Sequence, residues 1–271
     1  MTIADWLQRA TAQLTDSGSQ SARLDALLLV SDLFNQNTAW TLAHSDQALA
    51  SDQLSTLDLA LRRRLQGEPL AYIRGHQEFF GRTFMVAPEV LIPRPETEAL
   101  LELLLALPRS AGDRLLDVGT GSGCIAIIAK LEAPELHVSA IDVSKEALEV
   151  ARKNAAQLAA NVEFHQQNLL TLAEAHDPYA FIVANVPYVD RNWERSRETD
   201  FEPALALYAD DHGLELIKKL IAQSQTILLP GGFLLLEADP RQHQAICRWA
   251  KAHHLHLMAQ QSFALSFKRT D

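Results

Sequence analysis

Apolar residues at the start of the chain recur at helical spacing. Ile3, Trp6, Leu7, Ala10 and Leu14 fall on one face of a helix. Thr2 stands where its N-cap belongs, with Asp5 in the first turn. "SARLDALLLVSDLF" (21–34) predicts a second, more deeply buried helix. "SDQLSTLDLALRRRLQG" (51–67) predicts a third, opening at a Ser cap and stopping at Gly67, and a short helical turn is expected at 38–43. No strand pattern interrupts them, so residues 1–74 are expected to form a small all-helical domain.

The period then changes. Gly75, Gly81, Pro88, Pro93 and Pro95 punctuate residues 72–101, and "HQEFF" and "TFMVA" on either side of Gly81-Arg82 predict a β-hairpin within a linker at 75–92. A helix is expected after Thr97. Strands are expected at 114–119, 137–142, 162–167, 180–186 and 232–238, with helices from about 123 and from Ser144 to about 158. This alternation implies a mostly parallel sheet with helices on both faces. Segments 255–259 and 263–269 read as a short terminal antiparallel hairpin. The expected fold class is therefore α/β: a Rossmann-like sheet over 93–271, preceded by the helical domain and the hairpin linker.

Composition narrows the function classes. The 271 residues are 48% hydrophobic and 21% charged, enough to bury a sizeable core. The net charge of −10 argues against broad nucleic-acid binding, which needs a basic face. Arg62-Arg63-Arg64 reads as the solvated end of a helix, where cations suit the dipole. Cys124 and Cys247 form no CxxC pattern, so neither a zinc site nor a disulfide framework is expected. The N-terminus lacks the apolar core of a signal peptide, and "ALLELLLAL" (99–107) is too short to span a bilayer and contains Glu102. The expectation is a soluble, cytoplasmic monomer. His254 and His256 would share a strand face but lack a Cys or acid to complete a metal site, so no metal is expected.

"LLDVGTGSGCIAI" (115–127) is the strongest local signal. A buried strand ends, a glycine-rich turn follows, and a helix begins, leaving unpaired N–H groups toward a ligand. The spacing Gly119, Gly121, Gly123 differs from the dinucleotide fingerprint, and no Lys follows for a phosphate loop. Asp142 ends the next strand, where a carboxylate can accept ribose hydroxyls or cap the following helix. Asn168 and Leu169 end the third strand, where they can meet an adenine edge and face or serve a plain turn. Cys124, following the loop, reads as a small core residue.

The fourth strand ends in "NVPY" (185–188). Turn chemistry is one reading. The other is a cradle: the Asn185 side-chain oxygen and the Val186 carbonyl accept the two protons of a planar –NH2, and Tyr188 stacks on its face. Such an arrangement would aim a nitrogen lone pair at a methyl donor.

The glycine loop resembles the S-adenosylmethionine (AdoMet) site of class I methyltransferases. Asn-Pro-Pro-Tyr at this strand end marks those that modify planar amides and exocyclic amines. "PLAYIRGHQEFFGRTFMVAPEVLIPRPETEALLELLL" (69–105), "FEPALALYADDHGLELIKKLI" (201–221) and "LLPGGFLLLEA" (228–238) are similar to HemK-type peptide chain release factor glutamine N5-methyltransferases, and the resemblance covers nearly the whole chain. It implies AdoMet as cofactor, held by Gly119, Thr120, Gly121, Ser122 and Gly123, with Asp142 on the ribose and Asn168 and Leu169 beside adenine. It implies that Asn185, Val186, Pro187 and Tyr188 hold the glutamine of a release factor's Gly-Gly-Gln loop, Asn185 also facing the cofactor. The helical domain would recognise the protein substrate, with no direct nucleic-acid or membrane contact. Two departures stand out: Val186 replaces the first proline of the tetrapeptide, and the final hairpin is short. The alternatives are an amino-methyltransferase acting on a ribosomal-protein glutamine or a nucleic-acid adenine, and a weakly active AdoMet-binding paralogue.

Overall fold

The computed structural model describes residues 1–170 and 178–270. By their contacts these divide into two compact units, residues 1–75 with 196–201, and residues 76–195 with 202–271.

The first unit is helical: α1 (Ile3–Asp16), α2 (Ala22–Phe34), α3 (Thr38–Ala43), α4 (Ser51–Leu65) and α5 (Leu70–Arg74). Ile3, Trp6, Ala10 and Leu14 of α1 bury against Ala26, Leu29 and Val30 of α2 and Leu57 and Leu61 of α4. Thr2 and Asp5 cap α1 reciprocally, satisfying two otherwise orphaned N–H groups. At α4 the expected Ser cap is displaced by one residue. Ser51 is already helical, Ala50 is the N-cap, and the Gln53 side chain accepts from the Ala50 N–H. In the arginine run Arg62 is exposed in the last turn as expected, but Arg64 departs from a solvated helix end. Arg64 is largely buried, its Nε donating to Asp25 at 2.7 Å and its Nη2 to Glu198 at 2.6 Å. Arg63 meets Glu68. Specific carboxylates, and not the helix dipole alone, hold Arg63 and Arg64.

The second unit opens with a hairpin, β1 (His76–Phe79) and β2 (Arg82–Met85). Phe79 pairs with Arg82, so the turn is Phe80-Gly81, one residue earlier than the Gly81-Arg82 expected. After α6 (Glu98–Ala106), strands and helices alternate: β3 (Arg114–Val118), α7 (Cys124–Glu132), β4 (His137–Asp142), α8 (Lys145–Gln157), β5 (Glu163–Gln166) and β6 (Tyr179–Ala184). Short α9 (Ala204–Leu207) and α10 (Asp210–Gly213) lead to α11 (Glu215–Ile227), β7 (Leu228–Glu237), α12 (His243–Ala252), β8 (Leu255–Gln261) and β9 (Ala264–Arg269). The sheet order is β5-β4-β3-β6-β7-β9-β8, parallel from β5 through β7. β9 runs antiparallel between β7 and β8. In the terminal hairpin β8 runs two residues beyond the 255–259 expected, while β9 starts one residue later than the 263–269 expected. His254 precedes β8 in a left-handed conformation, so it shares no strand face with His256.

Period-two alternation sends successive strand residues to opposite faces. Leu115, Phe181, Val183 and Leu235 pack with α6 and α7 on one face. Leu116, Val118, Ile182 and Leu234 pack with α11 and α12 on the other. Burial of each large side chain stabilises by about 1.5–3 kcal/mol. Covered faces explain why these strands read as near-continuous apolar runs. Their carboxyl ends, where β3 and β6 lie side by side, carry the site. Among the described residues no helix is long and apolar enough to cross a membrane.

Candidate active site

A cavity of about 340 Å³ opens at the carboxyl ends of β3, β4 and β6. Its floor is the glycine loop. The Gly119 and Thr120 N–H groups both donate to the Ile141 carbonyl, at 2.9 and 3.0 Å, which anchors the turn to the neighbouring strand. Gly121 has φ +54°, and a Cβ there would meet nothing within 4 Å. Its backbone faces open space in a conformation that favours glycine. Gly123 differs: a Cβ there would lie 2.9 Å from Ile127 and 3.1 Å from Ala151. It permits close packing of α7 on α8 and does not line the cavity. Thr120, Ser122 and Gly119 do line it.

Two acids support this turn. Asp117 is fully buried; its Oδ2 accepts from the Thr120 hydroxyl at 2.6 Å and from the Ala126 N–H at 3.2 Å. Its Oδ1 has no partner among the described residues. Burial pushes its pKa up to about 7 against those two hydrogen bonds, with Asp142 adding to the rise. Asp142 lines the cavity, its Oδ2 accepting from the Gly121 N–H and its Oδ1 from the Ser144 N–H, both at 2.9 Å. Burial raises its pKa, and those N–H groups oppose the rise. Helix capping falls to Ser144, which accepts from the Ala147 N–H. Asp142 is thus tied to the ligand loop and is not the helix cap. Cys124 sits at the start of α7, its thiol pushed by burial up to about 12 and hence inert.

Asn168 and Leu169 reach the same cavity from beyond β5. Leu169 has φ +49°, uncommon for a branched apolar residue, and its carbonyl accepts from the Gln167 side chain at 2.8 Å. Segment 171–177, which follows, lies outside the described residues.

β6 delivers Asn185, Val186 and Pro187 to the opposite wall. The Asn185 Nδ2 donates to the Thr97 hydroxyl at 3.2 Å, which leaves its Oδ1 as the free end of the amide. Val186 is buried beside Gly119, its Cγ1 lying 3.4 Å from the place a Cβ on that glycine would take. Tyr188 is placed otherwise than the stacking expected of it. Its ring does not line the cavity; its hydroxyl donates to Glu237 Oε1 at 3.1 Å and its carbonyl accepts from the Gln242 side chain at 2.8 Å. Burial and the adjacent Glu237 hold the phenol well above its usual range. Glu237 itself is 2% exposed, and burial raises its pKa against the opposing effect of the neighbouring Thr97, Tyr188 and Asn185 side chains.

Several functional positions escaped sequence reasoning. Residues 89–94, Pro203, Leu205 and Ala206 contribute cavity wall, and Glu202 lies beside them without lining it. The Ile92 N–H donates to Glu202 Oε2 at 3.3 Å and Arg94 pairs with Oε1. Asn154, wholly buried, donates to the carbonyls of Ser122 and Met85 and accepts from the Met85 N–H. It thereby ties the glycine loop to β2. Asn154 did carry a signal: it is a polar residue on the face of α8 that otherwise holds Ala147, Leu148, Ala151 and Ala155. Among the described residues no cluster of three or more metal-ligating side chains occurs.

Comparison with known proteins bears on the family and the fold. Residues 5–75 match the family model described as "PrmC N-terminal domain", and residues 96–199 match "Methyltransferase small domain". A "Release factor glutamine methyltransferase" from Koribacter versatilis is 42% identical over 258 residues, covering 92% of each chain. Relatives of the same description from Vibrio cholerae and Escherichia coli are 40% and 38% identical, each over 91% of this chain and over 87% and 89% of their own. A methyltransferase structure from Pyrococcus furiosus superposes with a TM-score of 0.56 at 18% identity, over 82% of this chain and 100% of that one. The Thermus thermophilus 16S rRNA N2 G1207 methyltransferase, in complex with AdoMet and guanosine, gives 0.55 at 15% identity, over 72% of this chain and 50% of that one. These likenesses show the class I methyltransferase fold.

Proposed function

We propose a reaction for this chain, which belongs to the release factor glutamine methyltransferase family: transfer of a methyl group from AdoMet to the side-chain amide nitrogen (N5) of the glutamine in a release factor's Gly-Gly-Gln loop. The observation that carries this reading is the meeting of two walls in one cavity. The glycine loop and Asp142 form one, and Asn185, Val186 and Pro187 form the other.

The residues fit AdoMet. Gly121 leaves open space where a side chain would otherwise stand, and Asp142 offers carboxylate lone pairs at the cavity edge. Leu169 and Val143 add apolar surface suited to a purine face. When bound, AdoMet supplies an electrophilic methyl group on a sulfonium.

An amide nitrogen is a weak nucleophile because its lone pair is delocalised into the carbonyl. No strong base is needed before attack, since the alkylated nitrogen becomes very acidic. The protein's part is orientation and stabilisation of positive charge growing on that nitrogen. The Asn185 Oδ1 accepts one N–H of the substrate amide and the Val186 carbonyl accepts the other. Two acceptors then fix the lone pair direction and carry partial negative charge toward the reacting atom. Pro187 keeps Val186 extended, so its carbonyl is presented in one direction. The mostly apolar lining excludes water and strengthens both hydrogen bonds. The helical unit, residues 1–75 with 196–201, recognises the intact protein substrate.

The test incubates the full chain and labelled AdoMet with separate pools of intact release factor, ribosomal proteins and RNA, followed by mass spectrometry of the modified residue. Label on the Gly-Gly-Gln glutamine supports the reading. Label confined to either other pool overturns it.

A further inference from the structure

The sheet's fourth and fifth strands place an ionisable group behind the Asn185–Val186 wall. Glu237 ends β7, and Asn185 lies just past the end of β6, its immediate neighbour in the sheet. The carboxyl is 2% exposed and lines no part of the cavity. Its Oε1 accepts from the Tyr188 hydroxyl, and its Oε2 is buried without a hydrogen-bond partner among the described residues. Burying a carboxyl in this state costs several kcal/mol in general, so a fold keeps one where its chemistry is used. The polar side chains that face it are those of the site: Thr97, Tyr188 and Asn185.

The chemistry of these groups has a direction. An ionised carboxylate only accepts hydrogen bonds; hydroxyls accept and donate; an amide has one accepting and one donating end. Glu237 Oε2 is an acceptor open to the Thr97 hydroxyl, and a Thr97 that turns its proton there presents its oxygen lone pairs elsewhere. The Asn185 Nδ2 donates to that oxygen at 3.2 Å. The amide is then fixed with Oδ1 toward the cavity. Were Thr97 to donate to Asn185, the amide would turn over and present its –NH2 to a substrate that also offers –NH2. That arrangement has two donors and no acceptor, and the site would fail.

We infer that Glu237 is a positioning residue which, through Thr97, sets the orientation of the Asn185 amide and thereby makes the site specific for a donor –NH2 group. Donation by the Asn185 nitrogen also polarises its amide, leaving more negative charge on Oδ1 where positive charge develops in the substrate. Tyr188 completes the arrangement by satisfying the other carboxylate oxygen, which accounts for a tyrosine that faces away from the cavity. This inference rests on the function proposed above, and its test has one arm that does not depend on the substrate.

That arm is NMR of the full chain. In the wild type the Asn185 side-chain amide protons should show contacts to the Thr97 side chain. In Glu237→Leu, which removes the acceptor, those contacts should be lost, and in Glu237→Gln, which keeps one acceptor in the same volume, they should be retained at least in part. Unchanged contacts in folded Glu237→Leu would overturn the inference, whatever the substrate proves to be. The second arm is single-turnover methyl transfer to release factor with AdoMet affinity measured alongside. Glu237→Leu should lower the rate by about 10²-fold, the scale of one misplaced charge-stabilising group, and leave AdoMet affinity as in the wild type. Glu237→Gln should fall between the two, and Thr97→Ser, which keeps the hydroxyl, should stay near wild type. In the double variant Asn185→Ala with Glu237→Leu, the loss should equal that of Asn185→Ala alone, because one residue acts through the other. Additive losses, or a Glu237→Gln protein slower than Glu237→Leu, would overturn it. A wild type that leaves release factors unmodified would sink the proposed function and leave the NMR arm to decide the orientation.

Discussion

The two walls of the cavity are built from different materials. The glycine-loop wall is mostly backbone: Gly119 and Thr120 hang on the Ile141 carbonyl, and Gly121 donates to the Asp142 side chain, both at the end of the neighbouring strand. The opposite wall is side chain. Asn185 leans on Thr97, 88 positions away, and Tyr188 on Glu237, 49 positions away. A backbone wall needs only local geometry and tolerates many ligands of one shape. A side-chain wall needs several distant residues in register and can discriminate an –NH2 from an –OH. The first suits a cofactor, the second a reacting group.

The sharpest way to break this division is Asn185→Ala. Transfer to a release factor should fall by about 10²-fold or more in single-turnover assays. AdoMet affinity, measured by calorimetry, should stay unchanged, since the glycine wall is intact. A parallel loss of affinity would mean that the two walls are one. Gly121→Val attacks the other wall. It places a branched side chain at φ +54° in open cavity space, and AdoMet affinity should drop by about tenfold or more, near 1.4 kcal/mol. Wild-type affinity in the folded variant would remove the loop from the cofactor site.

A thermal prediction follows from Asp117 beneath the glycine wall. Its folded pKa of about 7 lies above the ordinary value of 3.8. The native state therefore holds a proton that the unfolded chain has released across that window, and wild-type stability falls as pH rises through it. Asp117→Asn removes this dependence. The Tm difference, variant minus wild type, should become more positive by about 2–4 °C per kcal/mol relieved between pH 5 and pH 8. A difference that is flat or of opposite slope would show that the acid is ionised throughout. The smallest effect is expected for Val186→Pro, which restores a constraint on Asn185 while keeping the carbonyl. Methylation of a Gly-Gly-Gln loop should rise by about two- to fivefold, the scale of one preorganised backbone bond. An inactive variant would point to a different substrate.

The same division explains what could be read from sequence. Residues 115–127 carry strand, turn and helix in one stretch, so the glycine wall and the alternating α/β order were legible from local pattern. Asn185 was legible because a proline and an aromatic follow it. Its supports were not. Glu237 comes beside Asn185 only through the pairing of β6 with β7, and Thr97 only through a contact 88 positions along the chain, neither of which any window of sequence contains. Nor could sequence show that Tyr188 turns from the cavity to Glu237. Arg64 misled for a like reason, since an arginine run looks solvated until Asp25 and Glu198 are brought to it. The Gln53 cap in place of Ser51 is a smaller error, a shift by one residue at a helix start.

The buried Glu202 that accepts from Ile92, 110 positions away in the chain, has an experimental use of its own. The Ile92 amide can exchange its proton with solvent only when the segments on either side of that carboxylate come apart. Its exchange therefore reports how readily the cavity rim opens, with no probe placed in the site and no turnover required. Compared between the resting protein and the loaded one, it shows how far a bound ligand holds that rim closed.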